Sequence, residues 1–156
     1  MQESIESCIN NYENAGLKIG KVQLSSAIQC DINDSNSNVI FQTLAQFNEP
    51  KFLHQTTVQT NDTFLCYDCL EDALKANERG FWRVHFHVPI HKTKMGAIQT
   101  TQQDLAHCIK VLKTHDIETW EVETYTWNEM PSTIKQDELV ESMAKELLWA
   151  HDNIYN

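Results

Sequence analysis

Apolar side chains recur along this chain with two different periods, and the alternation between them predicts its elements. Ile5, Cys8, Ile9 and Tyr12 repeat at helical spacing and stop at Gly16, a residue suited to the left-handed position after a helix. LKIGKVQLSS follows, with Ile19, Val22 and Leu24 among polar residues that mostly alternate, the pattern of a strand with two different faces. CDINDSNSN, residues 30–38, has no period and reads as a polar loop, with a short helix from Val39 to Phe47 after it. FLHQTTV, residues 52–58, reads as a strand or as one arm of a hairpin. Asp68 and Glu71 resemble an N-terminal cap for a helix carrying Leu70, Ala73 and Leu74 and ending at Gly80. FWRVHFHVPI is the clearest strand. Thr101 is placed to cap a helix with Leu105, Cys108, Ile109 and Leu112 at i, i+3, i+4 and i+7. ETWEVETYTW is a further strand, and Pro131 precedes a terminal helix with Leu139, Val140, Met143, Leu147 and Ile154 as its apolar stripe.

Helices and strands thus alternate from end to end. Parallel neighbours need a long return connection, so this order predicts a parallel sheet with crossover helices, with no domain boundary or repeat within 1–156. A complete (β/α)8 barrel takes roughly 250 residues. The expectation is therefore an α/β chain holding the C-terminal half of such a barrel, with about four parallel strands, whose open edges need a missing N-terminal half or self-association to close them.

Parity on the strands locates the candidate chemistry. In WRVHFHV, Trp82, Val84, Phe86 and Val88 share one face and Arg83, His85 and His87 the other. In WEVETYTW the same rule groups Glu121, Glu123, Tyr125 and Trp127, and in KVQLSS it groups Lys21, Gln23 and Ser25. A packed interior would favour Val, Ile and Leu, because buried ionisable groups lose hydration and must be paired or bind metal. Imidazoles and carboxylates on one side suit a divalent cation, and equally suit proton transfer beside a carbonyl. His85, His87 and Glu123 are the candidate catalytic residues; Arg83, Gln23, Ser25 and His54 are candidates for holding a substrate. Glu123 lies near the end of its strand, where barrel enzymes place reacting groups, and Glu121 lies deeper and orients neighbours. The plainer reading is that strand histidines are hydrogen-bonded structural residues and that the glutamates face water. His91, His107, His115 and His151 read as surface or helix residues.

Composition narrows the partners. Twelve basic against 22 acidic residues give a formal charge of −10, which repels phosphate backbones and anionic lipid and so argues against nucleic acid and membrane partners. No window approaches the roughly 18 apolar residues of a spanning helix, and five irregularly spaced cysteines without a secretion signal point to reduced thiols in the cytoplasm. Cys66 and Cys69 form a lone CxxC, which reads as two thiols beside a helix start, as a redox pair or as half of a zinc site.

KIGKVQLSSA, EPKFLHQT, WRVHFHVPI, TTQ and EVETYTW with its following Pro resemble, in order, the C-terminal region of the EboE family. The resemblance runs from about Ile19 to Trp149. It implies a xylose isomerase-like, sugar-phosphate isomerase/epimerase TIM barrel, associated with bacterial gene clusters implicated in moving or maturing secondary metabolites. It also implies a divalent ion, manganese, zinc or magnesium, with Glu123 matching the family's final metal-ligating Glu. Gln23 stands where the epimerases carry a metal-binding His, and the earlier strands that should supply the other ligands are expected before Met1. Three functions follow: an EboE-like metabolite-traffic protein holding a small molecule, a metal-dependent sugar (phosphate) isomerase or epimerase, or an inactive or split-gene fragment.

Overall fold

The computed structural model describes residues 4–61, 63–123, 126–135 and 137–156. The elements are helix α1 (Ile5–Asn14), strands β1 (Lys21–Leu24) and β2 (Ser26–Ile32), helix α2 (Ser37–Ala45), strands β3 (Thr56–Gln59) and β4 (Phe64–Tyr67), helix α3 (Leu70–Ala76) and strands β5 (Gly80–Val88), β6 (Lys94–Met95) and β7 (Ile98–Thr100). Helix α4 (Gln102–Leu112), strand β8 (Thr119–Val122), a 3-10 turn at Trp127–Glu129 and helix α5 (Leu139–Tyr155) complete them.

The strands form a six-stranded sheet of order β4-β3-β5-β2-β7-β6, in which every pairing is antiparallel, and a separate two-stranded sheet in which β1 and β8 run parallel. The partial xylose isomerase-like TIM barrel with about four parallel strands is therefore overturned. A missing N-terminal half is no longer required to close a barrel. The physical reason lies in short strands and tight turns that apolar periodicity does not reveal. β2 runs through CDI of the expected loop; β3 and β4 turn over between Gln59 and Phe64; β6 and β7 turn over at Gly96 and Ala97, with Gly96 at φ 60°. Connections this short join only antiparallel neighbours. Gly80 opens β5 at φ 139°, where a Cβ would stand 2.3 Å from the Gln59 carbonyl oxygen, so only glycine lets β5 close on β3. α3 ends earlier than Gly80, at a left-handed Asn77.

Alternation along β5 and β2 sends Ile28, Cys30, Ile32, Trp82, Val84, Phe86 and Val88 into one core, covered by Ile40, Leu44 and Phe47 from and just after α2 and by Leu70 and Ala73 of α3. Phe47 meets Phe86 edge-on at 4.9 Å, and Phe41 meets Trp82 at 5.5 Å. A second cluster joins the parallel pair to α4 and α5 through Leu24, Ile90, Leu105, Ile109 and Ala150, with Val22, Trp120, Val122 and Trp149 packed against it.

Helix α5 turns most of its predicted apolar stripe outward, with Ile154 alone of that stripe packed against the second cluster. Ser142 and Glu146 are buried, at 0% and 2% exposure, while Val140 and Leu147 stand out at 78% and 58%. Glu146 Oε2 accepts the backbone N–H of Ile90 at 3.1 Å, and burial pushes its carboxyl up. No described helix is long and apolar enough to cross a membrane.

Because the folded-state carboxyl of Glu146 titrates above its unfolded value, its cost is absent below that unfolded value and grows as pH rises past it. Glu146→Gln keeps an oxygen for Ile90 and removes the charge. We expect it to stabilise the fold at pH 7 by about 1 kcal/mol or more, and to leave stability at pH 4 nearly unchanged, in chemical denaturation. Destabilisation at pH 7 would contradict this account.

Candidate functional site

Strand β5 builds the site because its two faces are chemically distinct. With Trp82, Val84, Phe86 and Val88 fixed in the core, Arg83, His85 and His87 emerge on the other side. β2 pairs Ala27 with His87 and then Ile28 with Val84, so β5 passes His85 and Phe86 at a register shift without partners on β2. There the two imidazoles meet, Nε2 to Nε2 at 3.0 Å, with ring centroids 5.0 Å apart. Glu123 follows β8 directly, its N–H donating to the Leu24 carbonyl at 3.1 Å, and places Oε2 at 3.2 Å from His87 Nδ1. Thr126 Oγ1 donates to the His87 carbonyl at 2.6 Å, fixing that end of the strand.

His87 is buried, Glu123 half-buried and His85 exposed. Burial, and then the like charge of His85, push His87 down to about 4, so its ring is neutral at neutral pH. A carboxylate beside Nδ1 favours the tautomer protonated there. That leaves Nε2 as an acceptor for an N–H from His85, and the three side chains line up in the order Glu123, His87, His85, with Glu123 at ion-pair distance from His87 but outside hydrogen-bond geometry.

His85 and His87 open into a cleft of about 270 Å³, lined also by Ser25, Ala27, Arg83 and, from α4, Thr101, Asp104, Leu105 and Cys108. Arg83 is ion-paired with Asp104, and its guanidinium lies 5.6 Å from the Phe81 ring centre. Thr101 does not cap α4 with its side chain. Its Oγ1 instead accepts the Ala27 N–H at 2.9 Å, tying the helix start to β2. Burial, then the carboxylate of Asp104, push the Cys108 thiol up, so it stays protonated. A larger hollow of about 690 Å³ lies at the far end of β5, where Arg79 and Asp34 pair with each other and no such chain of imidazole and carboxylate is present.

Of the residues singled out from the sequence, Arg83, His85, His87 and Ser25 line this cleft and Glu123 reaches it through His87. Gln23 does not join them: it is exposed and pairs in register with Glu121 on the parallel strands, beside the Lys21–Glu121 ion pair at 2.6 Å. His54 is buried behind the sheet, its ring 4.7 Å from that of Phe86. Tyr125 and Thr124 lie outside the described residues. Asp104 and Thr101 were missed. They belong to the face of α4 that carries Leu105 and Cys108, since 101, 104, 105 and 108 share one side of a helix, and that spacing was their signal.

The donors do not fit the divalent ion that Glu123 was expected to bind. Glu123 lies on the Nδ1 side of His87 and His85 on the Nε2 side, so the three do not converge on one point. Among the described residues no group of three or more His, Cys, Asp or Glu is arranged to hold a metal, which also leaves Cys66 and Cys69 without further ligands. Compared with protein-family models, curated proteins and solved structures, the chain finds no match.

The neutral, buried His87 has a measurable signature. Its folded value of about 4 lies below the ordinary 6.5, so the unfolded chain binds more protons between those pH values. The stability it contributes is fully present above 6.5 and is lost as pH falls toward 4. The corresponding swing is about 3 kcal/mol. We expect the unfolding free energy of His87→Gln, relative to wild type, to fall behind progressively from pH 4 to 6.5. A difference independent of pH would show that the ring is not buried in its neutral form.

Proposed function

We propose that the cleft binds a small anionic metabolite and transfers a proton on it, in the manner of an isomerase or epimerase acting beside a carbonyl. The observation that carries this reading is the Glu123–His87–His85 chain ending in a cleft that also holds Arg83. With Nε2 of His85 directed at His87, Nδ1 is the ring atom left to meet a ligand. As a base it takes a proton from carbon, leaving the electron pair as an enolate and the ring as an imidazolium. His87 accepts the Nε2–H of that imidazolium, and Glu123 offsets the charge through Nδ1 of His87. His85, whose exposed ring exchanges its proton with solvent, returns a proton to the neighbouring carbon on the same face while the hydroxyl proton moves between the two enediolate oxygens, which balances an aldose–ketose isomerisation. Arg83 and Ser25 hold the anionic and hydroxyl groups, with Arg83 exchanging Asp104 for the ligand.

Arg83, His85 and His87 stand in WRVHFHVPI and Glu123 in EVETYTW, two of the motifs that resemble the EboE family. On that resemblance we also propose that the chain is an EboE-like protein handling a metabolite. The proposal stands on the cleft and not on a barrel. The five cysteines are free thiols, which supports a cytoplasmic location.

The test is deuterium exchange in heavy water with a panel of aldose and ketose phosphates, followed by NMR. Wild type is expected to wash deuterium into the position beside the carbonyl of one member. His85→Asn should lower that rate about 10²- to 10⁴-fold, and Arg83→Gln should chiefly raise KM. Saturable binding at Arg83 without exchange would favour a carrier over an enzyme. Neither binding nor exchange across the panel would overturn the reading.

A further inference from the structure

The histidine that sequence placed with the substrate lies on the other side of the sheet, and its surroundings give it a different role. His54 Nε2 is 2.7 Å from Glu49 Oε1, and His54 Nδ1 is 3.2 Å from the backbone carbonyl oxygen of His85. Both ring nitrogens therefore face oxygen acceptors, whereas a neutral imidazole carries a single N–H. Glu49 is a well-satisfied carboxylate: Oε1 also accepts the Phe52 N–H at 3.0 Å, and Oε2 accepts the Lys51 N–H at 2.6 Å. Burial acts to raise its carboxyl, but those backbone bonds and His54 outweigh it and hold it below the usual range. An ionised carboxylate on one side and a backbone carbonyl on the other thus hold the ring at both nitrogens.

Two further features converge on this ring. Its backbone sits at φ 50°, a left-handed conformation uncommon for a non-glycine residue that persists where its surroundings impose it. Its partner carbonyl belongs to His85, one of the two β5 residues that find no partner on β2 at the register shift. The His85 N–H goes to the Gln55 carbonyl at 2.8 Å, so the peptide groups on either side of the His85 Cα are held from the segment that leads into β3. That peptide orientation is what brings the His85 imidazole to 3.0 Å from His87.

We infer that Glu49 and His54 form a positioning pair that holds the β5 bulge from behind and so sets the contact between His85 and His87. As a role in catalysis this rests on the proton-transfer reading of the cleft. The measurement below concerns the rings alone, so a cleft that transfers no proton leaves it intact.

Long-range proton–nitrogen NMR of the histidine rings near pH 7 is the experiment. In wild type both ring nitrogens of His54 are expected to show hydrogen-bonded shifts, and the facing Nε2 atoms of His85 and His87 to share one N–H. His54→Asn removes the ring but tolerates φ 50°, and Glu49→Gln removes the charge while keeping the shape. Each should abolish the shared His85–His87 signal, a change that loss of packing elsewhere would not produce in a folded protein. Should His54→Asn fail to fold, Glu49→Gln and the wild-type spectrum decide. A wild-type spectrum without a shared His85–His87 N–H, or an unchanged His85–His87 signal in a folded variant, would overturn the inference.

Discussion

Strand β5 is hydrogen-bonded to β3 on one edge and β2 on the other, and the rest of the molecule is arranged around the single place where that pairing breaks. Below the break, Trp82 and Val84 anchor the strand in the core from one face; above it, Val88 and Thr126 fix its end. Between them His85 and Phe86 lack β2 partners, and the strand needs other groups to satisfy its backbone there. Phe86 is held by Phe47, and the His85 peptide by Gln55 and His54. A regular ladder would satisfy these groups without side chains from other elements. The bulge makes the backbone depend on them, and in return places two imidazoles nitrogen to nitrogen.

The same economy governs the interior charges. A buried ionisable group either pairs or becomes neutral. His87 becomes neutral, its positive form disfavoured by burial and by the second ring beside it. Glu49 stays charged because three donors converge on it, and Glu146, which has the Ile90 N–H as its backbone donor, is pushed toward the neutral acid. These outcomes follow from the number and kind of hydrogen bonds, since a carboxylate needs several donors to remain ionised away from water and an imidazole needs none to remain neutral.

What was legible in the sequence follows from which forces leave a periodic trace. Burial does, so α4 and β5 were readable, with Leu105, Ile109 and Leu112 on one helix face and Trp82, Val84 and Phe86 on one strand face. Parity along β5 grouped Arg83, His85 and His87, which line the same cleft. Strand direction leaves no such trace. β4, β6 and β7 are two to four residues long, too short to show a period, so alternation of helix and strand looked unbroken when hairpins were interleaved in it. Placement across the sheet was equally hidden: nothing in FLHQTTV says that His54 faces the core while His85 faces the cleft, because that depends on a left-handed residue and a register shift. For α5 the periodic trace was present and pointed outward, since Ser142 and Glu146 and not Leu147 meet the Ile90 turn.

The change from parallel barrel to antiparallel sheet also changes what kind of ligand the cleft admits. In a barrel, reacting groups stand at the C-terminal ends of several strands, around a mouth that loops enlarge. Here Arg83, His85 and His87 are successive outward residues of one strand, and α4 lies across them through Thr101, which binds the backbone of Ala27. Their spacing is that of alternate residues, about 7 Å apart along the strand. On the proposed function a ligand lies along β5, beneath α4, in a space of about 270 Å³, just under the usual range for a binding pocket. An extended molecule of a few carbons, with its anionic end at Arg83 and its reacting carbon at His85, meets that constraint.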